Sequence, residues 1–351
     1  MSTLMDDVLR SALDCFSGTE NYQPPEDDDM HFPQTSEFRY RTIQATDIEQ
    51  LSTSEVGRHR RYLQVQPGLL KGQLTEIKLD GVILVREQLN ASLHIEAGPP
   101  AHFVPLGTLL GPQNNMRFCG REFQENALLQ ATGGEWDLYC HENIDYAACI
   151  IDKSVLARFT KQLTAHDTDP EWFVSRSKPI NPAVLNPHKQ WMSQIFRKVK
   201  QSPELLDNTK VRRRLSADVI HQAVTLLMST SKNYQPLSPP TRRQKGVRRV
   251  VEYLTAYARE LPSIPELCSV AQLSERSLEY GFREQFGVTP VRYLNLVRLN
   301  GAHRDLYHGH AAMKVADVAM HWGFFELGRF SGVYARLFNE LPSQTLRRVN
   351  H

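Results

Sequence analysis

The chain lacks the marks of a secreted, membrane-spanning or metal-built protein. Its 351 residues hold five cysteines, Cys15, Cys119, Cys140, Cys149 and Cys268, with no CxxC pair and no zinc spacing. That usage reads as free thiols in a reducing compartment rather than as a disulfide framework. No apolar run reaches the roughly 18 residues that span a bilayer, so no membrane partner is expected. The first residues, Met1 to Asp14, have neither the basic start nor the continuous apolar core of a signal peptide, and a cytoplasmic location is expected. The histidines His94, His102 and His141 form no HxH pair with a glutamate at ligand spacing, and the HxH of His308 and His310 falls in a loop. No catalytic residue, metal or cofactor is therefore expected.

What is present is an uneven charge distribution. From Thr241 to the end there are 16 Lys or Arg against 10 Asp or Glu, while the preceding residues carry 25 against 29. A basic C-terminal segment joined to a mildly acidic one suggests that only the former meets a polyanion.

The β-pattern occupies the first half. Leu74, Ile77 and Leu79 precede Asp80-Gly81, a hairpin signal, and Val82 to Val85 follows. Leu93 and Ile95, the run from Ala127, then Trp136, Leu138 and Cys140, and Tyr146 to Ile151 continue it. Short strands at this spacing imply a small barrel or double-sheet jelly roll. Helical spacing follows over Lys153 to Leu163, His188 to Lys200 and Thr209 to Thr230. In the last, Leu215, Val219, Ala223 and Leu226 form a stripe that serves either intramolecular packing or a homodimer. Three prolines between Gln235 and Pro240 mark a linker. The expected organisation is α+β: a poorly ordered 1–35, a β-rich domain over 36–180, helices for packing or dimerisation over 181–232, a linker at 233–246 and an all-α domain over 247–351. Cys268 lies on an apolar stripe of that last domain and is expected to be buried.

The most informative feature is a helix-turn-helix pattern written twice in the basic segment, about 264–285 and 315–338. Ile264, Leu267 and Ala271 lead to Leu278, Phe282 and Phe286; Val315, Val318 and Trp322 lead to Phe330, Tyr334 and Phe338. Ser263 with Glu266 makes a capping box, Pro265 suits a first turn, Ser274 can cap the next helix and Gly287 can end it. Thr289-Pro290 starts a long helix to about Tyr307, whose 18 residues span about 27 Å. That length can hold two recognition helices in successive major-groove segments, about 34 Å apart. With Leu278, Phe282 and Phe286 turned inward, Arg276, Glu279, Tyr280 and Arg283 are left for DNA. With Phe330, Val333, Tyr334 and Leu337 inward, Leu327, Gly328, Arg329, Ser331 and Gly332 are left. Arg329 is the candidate for a guanine or phosphate, Leu327 for a thymine methyl, and the two glycines for close approach to the sugar-phosphate backbone. Arg347 and Arg348 are expected near a phosphate.

These residues carry a resemblance. Ile264-Pro-Glu-Leu-Cys-Ser-Val-Ala, Leu278 to Pro290, Val315-Ala-Asp-Val-Ala, Trp322-Gly-Phe and above all Leu327 to Arg348 resemble the DNA-binding domain of the AraC/XylS family. The resemblance implies a seven-helix domain with two helix-turn-helix units, double-stranded DNA and RNA polymerase as partners, and usually transcription activation. It places the base-contacting positions on Arg276, Glu279 and Tyr280, and on Leu327, Gly328, Arg329 and Gly332. Gln272 stands where the family usually has glycine, at a strain of about 1 kcal/mol if its φ is positive. The N-terminal half resembles more loosely the family's sensor domains, including ethanolamine-operon-type regulators, with Gln73 to Arg86 the nearest stretch. That likeness implies a cupin-like sandwich holding a small-molecule effector. Phe103, Phe118, Trp136 and Tyr139 are the effector-binding candidates. The competing readings are a cupin-like metal enzyme fused to a helical domain and a ligand-independent DNA-binding regulator.

Overall fold

The computed structural model describes residues 38–52, 59–98, 102–111, 116–123, 126–130, 136–141, 143–168, 172, 177–229, 241–310 and 312–348. The expected N-terminal segment 1–35 and the proline-rich stretch 235–240 lie outside these residues. Of the expected linker, Thr241 instead caps a helix, so residues 242–246 are already helical.

The β-region is built from β1 (Tyr40–Ala45), β2 (His59–Gln64), β3 (Gly72–Leu79), β4 (Val82–Leu89), β5 (Leu93–Gly98), β6 (Phe103–Leu109), β7 (Arg117–Phe118), β8 (Arg121–Glu122), β9 (Ala127–Gln130), β10 (Trp136–Cys140), β11 (Ile144–Asp152) and β12 (Ser177–Pro179). They form a seven-stranded sheet, β1-β3-β4-β11-β6-β9-β12, and a five-stranded sheet, β2-β5-β10-β7-β8. Leu79 pairs with Val82 across the expected Asp80-Gly81 hairpin, where Gly81 takes φ of 78°. The double-sheet expectation is met, but neither sheet closes: β1 and β12 are edges of one, β2 and β8 of the other. A short α1 (Ile48–Ser52) joins β1 toward β2.

The helices that follow are α2 (Lys153–Thr164), α3 (Pro182–Gln201), α4 (Thr209–Ser229), α5 (Arg242–Tyr257), α6 (Ile264–Ala271), α7 (Glu275–Phe286), α8 (Pro290–Tyr307), α9 (Val315–His321), α10 (Leu327–Phe338) and α11 (Pro342–Arg348). No described helix is long and apolar enough to cross a membrane.

Strand alternation divides the core in two. On the outer face of the large sheet, Ile77, Leu84, Leu106 and Cys149 pack with Leu156 of α2, Met192 of α3 and Val219, Ala223 and Leu226 of α4. Val219, Ala223 and Leu226 of the α4 stripe are thus buried within the chain, and Leu215 is half-buried at its edge. On the inner face, Leu74 and Val85 join Tyr62, Ile95 and Leu138 of the small sheet. This second cluster continues without a break into Leu278, Phe282, Tyr293 and Phe330 of the C-terminal helices. Each large apolar side chain buried there contributes about 1.5–3 kcal/mol. The layers therefore run from α2–α4 through the large and small sheets to the helix-turn-helix region. Cys268 departs from expectation: it is only half-buried, because Leu267 and Ala271 take the inward positions of α6 and leave it on the flank.

Candidate nucleic-acid interface

Both helix-turn-helix units form as their local chemistry dictates. In the first, the Ser263 hydroxyl accepts from the Glu266 N–H and the Glu266 side chain reaches back, so the capping box is closed. Gln272 ends α6 in the left-handed region, φ 53° and ψ 42°, so the turn keeps the geometry that glycine usually provides. Its carbonyl accepts from Arg242, and that of Ala271 from Arg249. Ser274 caps α7 and Gly287 ends it at φ 68°. In the second unit, Gly323 takes φ 73° between α9 and α10. Gly301 on α8 leaves room for the Trp322 ring, which any Cβ there would strike. Arg298 is fixed behind this turn, donating to the Trp322 carbonyl at 2.5 Å with its guanidinium 4.5 Å from the Phe324 ring.

The residues left outward by the hydrophobic stripes are outward. Arg276, Tyr280 and Arg283 are exposed and Glu279 is half-buried. Leu327, Gly328, Arg329 and Gly332 are exposed, Ser331 half-buried. An added Cβ at Gly328 or Gly332 meets nothing within 4 Å. The first surface is internally tied: Arg283 pairs with Glu279 at 2.9 Å, and Arg243 stacks 4.5 Å from the Tyr280 ring centroid while pairing with Glu284 at 3.0 Å. Sequence reasoning missed Arg243, because it precedes the repeat and its role depends on α5 crossing α7. It also missed Phe325, 73% exposed at the start of the second recognition element, which the doubled aromatic Phe324-Phe325 in a turn would have signalled. Arg347 is exposed and donates to the Ser343 carbonyl. Arg348 is engaged elsewhere, pairing with Glu340 and with Asp47 at 3.6 Å.

That last pair belongs to a joint between the β-region and the helix-turn-helix region. The Asn300 side chain accepts from the Gln64 N–H at 2.8 Å and donates to the Gln64 carbonyl at 3.0 Å. Gln64 ends β2, an edge strand, so the carboxamide satisfies backbone groups another strand would have taken. Tyr139 of β10 donates to the Phe286 carbonyl at 2.7 Å, and the Gln64 side chain donates to the Leu337 carbonyl at 2.8 Å. The final turns of both recognition helices are thus held from the β-region. His94 bonds the Tyr293 hydroxyl at 2.8 Å. His303 bonds Asp47 at 2.9 Å through one nitrogen and Tyr334 at 2.6 Å through the other. Burial works to raise the Asp47 carboxyl, but His303, the Glu49 N–H and Arg348 outweigh it and hold it below its usual range.

Among the described residues, Asp47, His303 and Glu340 are the one group of three metal-type donors within 4.8 Å of one another. Arg348 and Tyr334 already satisfy them, and His94, His102 and His141 are not brought together. The four effector candidates are all buried: Phe103 packs at a tilt against His102, Phe118 at a tilt against Trp136, and Tyr139 edge-on against Phe286. Trp136 also lies 5.8 Å from the guanidinium of Arg60, which is buried in an ion pair with Glu87 between the sheets.

This geometry agrees with comparison to known proteins. Residues 267–348 match the helix-turn-helix domain family. The chain is 32% identical over 166 residues to the probable thc operon regulatory protein of Rhodococcus erythropolis, covering 46% of this chain and 49% of that protein. It is 36% identical over 101 residues to the XylDLEGF operon transcriptional activator 3 of Pseudomonas putida, covering 28% of this chain and 30% of that one. The chain thus spans half or less of the length of these curated relatives. Among solved structures, a probable AraC family transcriptional regulator from Rhodopseudomonas palustris CGA009 is 34% identical, covering 29% of this chain and 95% of that chain, with a TM-score of 0.28. Through its C-terminal helix-turn-helix domain, the chain belongs to the AraC/XylS family.

Proposed function

We propose that this chain is a sequence-specific DNA-binding transcription regulator, an activator that answers to a small-molecule effector in its cupin-like N-terminal region. The observation that carries the reading is the pair of helix-turn-helix units on one 18-residue spacer helix, each presenting an exposed, arginine-bearing first turn. Arg276, Glu279 and Tyr280 read one groove segment; Leu327, Gly328, Arg329 and Gly332 read the next. The names of its relatives as operon regulators and activators support the same reading. RNA polymerase is the partner an activator requires, and a homodimer would double the contacted site.

The joint supplies the route from effector to DNA. The β-region grips the C-terminal turns of α7 and α10, so a shift of the small sheet changes the relative setting of the two recognition helices. A ligand that favours one setting moves the population of DNA-competent molecules by its differential affinity for the two.

Selection from a random duplex pool with the full-length protein tests the function. The expected result is a site with two conserved blocks about one helical turn apart. Recovery of no consensus, with binding that collapses between 50 and 200 mM salt whatever the sequence, contradicts it.

A further inference from the structure

The outer face of the large sheet changes character along its strands. Its apolar end is covered by α2–α4, but beyond that a polar row crosses the strands. Thr75 lies opposite Arg86, Gln73 opposite Gln88, and Gln88 opposite Asp145. Above this row α3 presents Lys189, Ser193, Arg197 and Lys200, a single stripe at spacings of four, four and three. Between the helix and the sheet lies a cleft of about 580 Å³, within the range of small-molecule sites.

Among the described residues the lining carries four cations, Arg86, Lys189, Arg197 and Lys200, and no acid. Asp145 stands behind Arg86 and fixes it with two hydrogen bonds of 2.9 and 2.8 Å, which positions the guanidinium. The enrichment sits in the part of the chain with an acidic balance, 25 basic against 29 acidic residues. The remaining lining is mostly carboxamides and hydroxyls, with Leu110 and Phe196 the apolar exceptions.

We propose that this cleft binds a small, oxygen-rich organic polyanion carrying two or more carboxylate or phosphate groups, and that it is the effector site of the regulator. The inference rests on the sensor reading above. It moves the effector away from Phe103, Phe118, Trp136 and Tyr139 to a site where charge rather than aromatic packing selects the ligand. Arg86 and Arg197 offer paired N–H donors from opposite walls, so an occupant bridges α3 to the sheet.

The test is calorimetric titration of the full-length protein with citrate and with fructose 1,6-bisphosphate, which separate the polycarboxylate and phosphate sources. Fructose and sodium chloride at matched ionic strength are the controls. Saturable one-site binding by at least one polyanion, a raised melting temperature, and a tenfold or greater loss of affinity in R197Q/K200Q are expected. Both substituted side chains are exposed, so the variant keeps its fold. Millimolar or weaker binding of both polyanions overturns the proposal, as does affinity unchanged in the double variant. Gel shifts on the same preparations keep the two questions apart: specific DNA binding without polyanion binding overturns this inference alone, and polyanion binding without specific DNA binding overturns the functional reading alone.

Discussion

The Tyr139 hydroxyl donates to the carbonyl of Phe286 at 2.7 Å, so a strand residue of the β-region closes the last turn of the first recognition helix. Helix ends leave carbonyls without intrahelical partners, and here one is supplied from the other half of the chain. The second recognition helix is held likewise, through the Leu337 carbonyl and the side chain of Gln64.

Removing these bonds should loosen the joint. Y139F loses one buried hydrogen bond and is expected to cost about 1 kcal/mol; N300A strips partners from two backbone groups of Gln64 and should cost about 2 kcal/mol. Urea unfolding of the full chain measures both. Losses under about 0.3 kcal/mol in both variants would mean that the joint is not formed in solution.

The helix face at Gly328 and Gly332 separates protein stability from DNA contact. Alanine at either position meets no protein atom within 4 Å and should stabilise α10 by about 0.5–1 kcal/mol. The same methyl group should weaken specific DNA binding if the duplex backbone approaches there. Thermal unfolding and gel shifts check the two halves; unchanged DNA affinity in both variants would place the groove elsewhere.

Gln272 carries a backbone conformation suited to glycine. Q272G should raise stability by up to about 1 kcal/mol, because the left-handed geometry no longer crowds a Cβ. The Arg242 bond is to the Gln272 backbone carbonyl and survives the change. A clear loss of stability would show that the Gln272 side chain has a role not visible in its contacts.

Burial pushes His188 down to about 4, against the pull of its hydrogen bond with Gln222. The unfolded chain therefore takes up this proton first as pH falls. The contribution is fully present above about 6.5 and is lost progressively between about 6.5 and 4, to at most about 3 kcal/mol. The stability difference between wild type and H188Q should shrink over that interval. A difference that stays constant from pH 7 to 4.5 contradicts the assignment.

The helix-turn-helix units were legible because their signals are local. Ser263, Pro265, Ser274, Gly287 and Thr289-Pro290 fix helix ends within a few residues, and α6 and α8 begin and end where those residues place them. Strands such as β3 and β4 were legible as alternating runs around Asp80-Gly81. Their neighbours were not, since nothing near β11 says that it lies between β4 and β6. The joint was invisible for the same reason. Gln64 and Asn300 are 236 residues apart, and His94, Tyr139 and Asp47 read locally as ordinary strand and turn residues. Tyr139 was singled out as aromatic lining for a ligand, and its place in the structure is against Phe286.

Hydroxyl-radical footprinting of the full-length protein on its selected duplex tests the central claim most directly. Two protected patches on one face, about a helical turn apart, are predicted, with R276A releasing one and R329A the other. Each substitution removes an exposed side chain without an ion pair among the described residues, so stability should stay unchanged while affinity falls by about 1–3 kcal/mol. A single patch lost in one variant and untouched in the other would contradict tandem reading by the two units.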